Sequence, residues 1–198
     1  MFKRYYLIFL ILILLLAGAS CKKEERAAEV SLQDIIGPGA FIKDQISLDI
    51  DEDKDKEDIV LYVLAGRFYL AVVDQIKVKS KVELLTEQAD VILPKDFNGD
   101  GKEFEFAFNA FDSGKGIYVE IIGWNKNTKE LLRYNFYKDE DILEELFVSS
   151  INDIKYENGF LIQSYYSDVE PIGFFTNYYS FSEEKQGFEF EKSEKTAD

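Results

Sequence analysis

The sequence predicts an all-β fold built from antiparallel hairpins in a partial propeller-like or repeated-sheet arrangement, with one short helix near 139–149. Three observations predict it. Short apolar runs rich in Val, Ile, Phe and Tyr recur along the chain, separated by turn residues at close intervals. Asn158-Gly159 stands between two such runs and supplies the positive φ angles that a two-residue hairpin turn requires. An acidic stretch running directly into an apolar strand occurs twice, at 49–61 and 96–108, an offset of 47 residues. A period of about 40–50 residues is that of four-stranded propeller blades, although counting onward reaches Leu143 with no third acidic loop.

Residues 1–20 read as a signal peptide. Lys3 and Arg4 precede an uncharged apolar run, and small residues stand before Cys21. The run from Tyr5 to Ala19 is shorter than the roughly 20 apolar residues a membrane-spanning helix needs. Leu16-Ala-Gly-Ala-Ser-Cys21 resembles the lipobox of bacterial lipoproteins, with Gly18 in the manner of the spirochaetal variants. The resemblance implies cleavage before Cys21, a diacylglyceryl group on its thiol, and palmitate-type acyl chains that hold the protein to the outer membrane or the outer face of the inner membrane. Residues 21–29 would then be the lipidated cysteine and a charged tether, 30–190 the β domain and 191–198 a flexible, solvated tail.

Within the domain the candidate strands come in pairs. Ile59–Leu64 and Phe68–Val73 flank Ala65-Gly66, while Ile117–Ile122 and Leu131–Tyr137 flank Asn125–Thr128. Ile154–Ile162 folds over Asn158-Gly159, and Tyr178–Phe181 with Phe188–Phe190 close the domain. The exception is Asp141–Phe147, where Ile142, Leu143, Leu146 and Phe147 fall at helical spacing behind acids that suit a helix N-terminus.

Composition narrows the function. The chain carries 23 Lys and Arg against 38 Asp and Glu, a net charge of −15 with no histidine. Loss of Lys3 and Arg4 with the leader leaves 21 basic residues and a charge of about −17. Such a polyanion lacks the basic surface that neutralises phosphates in nucleic-acid binding, and the acyl chains rather than charge would hold it to lipid. Cys21 is the only cysteine, so neither a structural disulfide nor the usual thiol, imidazole or zinc chemistry has its residues once that thiol is acylated.

Asp96-Phe-Asn-Gly-Asp-Gly-Lys102 is the most specific motif of the mature chain. Calcium takes six to eight oxygen ligands, and carboxylates at alternate positions of a sharply turning loop converge on one point. The motif is similar to the calcium loops of FG-GAP and VCBS-type repeats. That resemblance implies side-chain ligands at Asp96, Asn98 and Asp100, a backbone carbonyl at Lys102 and a closing carboxylate at Glu105. The fixed offset assigns Asp49, Asp51, Asp53 and Asp58 to the first loop, with Lys54 where the glycine belongs. Lys54 raises the cost of a left-handed backbone, so the first loop is expected to bind more weakly.

The aromatic pairs Tyr165-Tyr166, Phe174-Phe175 and Tyr178-Tyr179 put one ring on each face of a strand, which fits a sheet core on one side and cross-strand pairing on the other. Trp124 is expected to pack at a strand end. These features predict a lipid-anchored, calcium-stabilised binding or structural module of the cell envelope, not an enzyme, with a protein or glycan partner. The alternative is a lipid-anchored hydrolase using two carboxylates across a cleft.

Overall fold

The structure is a computed structural model that describes residues 30–197. The signal peptide, Cys21 and the tether to residue 29 lie outside the described residues. Strand dominates, and the fold is all-β with antiparallel sheets.

The first sheet is a four-stranded meander, β1 (Phe41–Leu48), β2 (Glu57–Leu64), β3 (Arg67–Asp74) and β4 (Lys77–Glu83), paired in chain order. The second repeats it with β5 (Pro94–Lys95), β6 (Glu105–Asp112), β7 (Ile117–Asn125) and β8 (Glu130–Arg133). Leu48 faces Glu57 across the first acidic loop, and Lys95 faces Glu105 across the second. A third meander follows, β12 (Ile154–Glu157), β13 (Phe160–Ser167), β14 (Gly173–Ser182) and β15 (Gly187–Ala197). It has no acidic loop; Asn158-Gly159 closes its first hairpin, both residues at positive φ.

Side-chain parity stacks the sheets. On β7, Ile122 and Trp124 face the first sheet and pack with Ile59, Leu61, Leu70 and Val72. Val119 and Ile121 face the third sheet and pack with Leu161, Tyr179 and Phe188. The second sheet is thus covered on both faces, which explains why β7 reads as a continuous apolar run rather than an alternation. Each large side chain fully buried there contributes about 1.5–3 kcal/mol. Buried Glu120 on β7 pairs with Arg133 Nε at 2.9 Å and accepts the Leu85 and Thr86 N–H groups, fastening the segment between the first two meanders.

The helix lies elsewhere than the sequence predicts. Leu32–Ile36 forms α1, and Leu32, Ile35 and Ile36 pack on the outer face of the first sheet, against Val60, Tyr62, Ala71 and Val73. Among the described residues no helix is long and apolar enough to cross a membrane. The expected helix near 139–149 is instead two short strands, β10 (Asp141–Leu143) and β11 (Leu146–Val148). A seven-residue helix is marginal by itself, whereas β9 (Asn135–Lys138) and β7 each offer an unpaired edge. Leu146 and Val148 are buried and Phe147 between them is not, which is strand alternation.

Two further expectations change. The predicted strand Leu131–Tyr137 breaks at buried Tyr134, where the chain leaves the second sheet as β8 and enters the third as β9, parallel to β15. The predicted tail is also strand: β15 continues to Ala197 because long β14 presents backbone groups as far as Phe174. Its side chains from 191 to 196 are exposed, which is why no apolar face marked it.

Candidate functional site: paired acidic loops and an aromatic cleft

The two acidic loops share a set of side-chain-to-backbone hydrogen bonds. In the second, Asp96 Oδ1 accepts the Gly99 N–H at 2.7 Å and Oδ2 the Gly101 N–H at 3.0 Å. Asn98 Oδ1 accepts from Asp100 and Asp100 Oδ1 from Lys102, at 2.9 and 3.0 Å. Glu105 Oε2 accepts the Phe97 N–H at 2.9 Å. In the first loop Asp49 accepts the Lys54 N–H, Asp53 the Asp55 N–H and Glu57 the Ile50 N–H, at 3.2, 2.9 and 3.2 Å. The backbone agrees too, with φ of 82° at Lys54 against 83° at Gly101. Lys54 therefore holds a left-handed conformation that costs a non-glycine residue about 1–2 kcal/mol. At Gly99 (φ 79°) a Cβ would lie 1.8 Å from Tyr156 Oη, so close packing as well as the turn requires glycine.

The equivalence corrects one residue. The carboxylate that closes the first loop is Glu57, not Asp58, because the second loop has one extra residue before Glu105. Glu57 and Glu105 are both buried, whereas Asp58 turns outward and accepts from Ser47 Oγ at 2.8 Å. Carboxylate oxygens of Asp49, Asp51 and Glu57 all lie within 4.8 Å of one another, and Asp53 is not among them.

The loops differ in how their charge is met. In the first, Lys79 Nζ from β4 stands 3.1 Å from Asp51, 3.1 Å from Glu57 and 3.2 Å from Asp74, with Lys129 at 3.4 Å from Asp51. Burial opposes the Lys79 ammonium, yet the surrounding Glu57, Asp51 and Asp74 carboxylates raise it well above the ordinary lysine range. Burial likewise opposes the Asp51 carboxylate, and its bonds to Lys79 and Lys129 draw it below its usual value. The oxygens Asp49 Oδ1 and Asp51 Oδ1 remain buried without a hydrogen-bond partner.

In the second loop Lys126 reaches Asp100 and Lys102 reaches Glu52 of the first loop, but the bonds to Glu105 come from uncharged donors, Phe97 N–H, Asn98 Nδ2 and, at 3.5 Å, Tyr134 Oη. Burial, with Asp100 and Asp96 nearby, pushes the Glu105 carboxyl up to about 8 against the opposing bonds of Phe97 and Asn98. Asn98 and Asp100 line a cavity of about 110 Å³ that also receives Trp124, whose Nε1 is buried without a partner. Lys126 lines the same cavity, and Asp96 and Glu105 do not. Among the described residues the acids brought close enough to share a metal ion are Asp49, Asp51 and Glu57 of the first loop, not those of the second.

A second feature, which no sequence pattern marks, is a cleft of about 440 Å³ where β11 meets β13 and β14. Tyr118, Phe147 and Tyr165 line it, with ring centroids 5.3 Å apart for Tyr118 and Phe147 and 6.4 Å for Phe147 and Tyr165. Elsewhere the aromatic pairs behave as expected: Tyr165 stacks on Phe175 and Tyr166 meets Phe174 across β13 and β14, while Tyr179 enters the core. Trp124 packs near the end of β7. Comparison with protein-family models, with curated proteins and with solved structures finds no match.

Proposed function

We propose that the chain is a lipid-anchored binding module of the cell envelope, held to a membrane through Cys21, in which the second acidic loop carries calcium and the first is neutralised largely from within by Lys79. The single observation that supports the calcium reading is the contrast between twin loops. Both place a glutamate in the protein interior, but only Glu57 has a lysine against it. Removing charges from water is costly unless they are paired, and a divalent ion at Asp96, Asn98, Asp100 and Glu105 would supply what Lys79 supplies next door. The ion's part is to balance charge and fix the loop.

The membrane part rests on the signal sequence and the lipobox-like segment before Cys21. It fits an acidic domain that has no electrostatic means of holding to anionic lipid. The module reading is favoured over a two-carboxylate hydrolase because the aromatic cleft draws its acids from consecutive residues, Glu144 and Glu145, rather than from facing walls. Cys21→Ala should move the protein from the membrane fraction to the soluble fraction or leave an uncleaved precursor, and should abolish incorporation of labelled palmitate. Equal palmitate incorporation by the variant would refute lipid attachment at this residue.

A further inference from the structure

The cleft beside β11 is rich in acceptors, and one of them is conspicuous. Asn177 on β14 and Gln163 on β13 are register partners, each only 4% exposed, and both line the cleft. Their donors are used. Gln163 Nε2 donates to the Phe147 carbonyl at 2.6 Å, while Asn177 Nδ2 and Tyr179 Oη both donate to Gln163 Oε1 at 2.9 Å. This fixes the Asn177 amide, and its Oδ1 is left buried with no hydrogen-bond partner. An unmet buried acceptor is costly to keep, so the cleft floor asks for a donor.

The walls say which kind. Glu144 and Glu145 line the cleft, with Arg133 Nη1 3.8 Å from the Glu144 carboxylate, and its one cationic lining residue, Lys138, is directed over the Phe190 ring at 4.6 Å. Tyr118, Phe147 and Tyr165 offer aromatic faces, which attract cations and also pack against methylene stems. The protein's net charge of −15 draws positive partners over longer range. Phe147 and Tyr165 also line a second cleft of about 410 Å³, bounded by Tyr166, Ser167 and the ion-paired Lys115 and Asp168, so the surface continues past the first depression. A site of that length suits a chain segment better than a lone amine.

We infer that this cleft binds a basic side chain, arginine or lysine, presented by an extended peptide segment of a partner protein. The stem lies against Phe147 and Tyr165, the terminal N–H groups reach Asn177 Oδ1 and the Glu145 carboxylate, and the flanking backbone crosses toward the second cleft. The inference deepens the reading of the domain as a binding module; it depends neither on calcium nor on the lipid.

The test uses the full chain in detergent micelles and fluorescence anisotropy with two labelled peptides, Gly-Gly-Arg-Gly-Gly and the same peptide with citrulline, the neutral isostere, in place of arginine. The arginine peptide should bind at least about tenfold more tightly, because hydrogen bonds to a charged group are worth roughly 1.5–3 kcal/mol. Glu145→Gln and Asn177→Leu should each weaken it by a similar factor, whereas Glu157→Gln, removing an exposed acid on β12 paired with Lys155, should leave it unchanged. If Asn177→Leu fails to fold, Glu145→Gln and Tyr165→Ala decide. Equal binding of the two peptides, equal losses in Glu145→Gln and Glu157→Gln, or tight binding of a neutral tetrasaccharide in preference to the arginine peptide would overturn the inference. These outcomes are separate from calcium binding and membrane attachment, which are read by melting temperature and fractionation.

Discussion

Lys79→Met should be among the most damaging single substitutions on the surface of the first sheet when calcium is absent. Methionine keeps most of the apolar stem of Lys79 but removes the ammonium that touches Asp51, Glu57 and Asp74. Asp51 and Glu57 have side chains only 3% and 1% exposed, so two carboxylates would be left in the interior with Lys129 as the remaining neighbouring cation. Removing one partner of a buried ion pair costs about 3–5 kcal/mol. At 2–4 °C per kcal/mol for a domain of this size, the melting temperature should fall by roughly 6–20 °C in chelator. The three carboxylates within 4.8 Å of one another then become a divalent site, so millimolar calcium should recover much of the loss. A variant that melts within about 1 °C of the unsubstituted protein would show that Lys79 does not neutralise the first loop.

The second large effect concerns pH. Glu105 in the folded domain is pushed up to about 8, above its ordinary value of 4.5. Between those values the folded state holds a proton that the unfolded chain has released, so stability falls as pH rises from about 4.5 and levels off above about 8. The whole penalty is on the order of 5 kcal/mol at the high-pH end. Glu105→Gln is neutral at every pH. In chelator its stability should therefore gain on that of the unsubstituted protein steadily from pH 5 to pH 8, measured by urea denaturation. Parallel profiles would mean that Glu105 ionises without cost.

Much of this architecture is legible in the sequence, and the failures have particular causes. The hairpins over Ala65-Gly66 and Asn158-Gly159 follow from turn chemistry, and the two acidic stretches lead into β2 and β6 as their apolar followers predict. The first loop's closing acid was hidden by a single insertion. A fixed offset of 47 aligns Asp58 with Glu105, yet the strand ladders align Glu57 with it, one residue earlier in its loop. Lys79 had no signal, since it arrives from β4, more than 20 residues past the loop, through tertiary pairing alone. The segment 139–149 misled because two sheet edges claimed it, and an apolar pattern cannot report which edges stand open. Gln163 and Asn177 look like ordinary strand polar residues until β13 and β14 are placed side by side.

In the proposed function the second loop takes a cation from outside while the first is neutralised by its own lysine. Thermal melting of the full chain in detergent, in millimolar calcium and in chelator, tests it most directly. A ligand present at 100 times its dissociation constant adds about 2.7 kcal/mol, so an affinity near 10⁻⁵ M should raise the melting temperature by several degrees. Asp100→Ala should remove most of that rise, and Asp53→Ala, in the loop that Lys79 neutralises, should leave most of it in place. Identical melting temperatures with calcium and with chelator would contradict the account, and would leave the two loops as acidic turns that differ only in where their lysines fall.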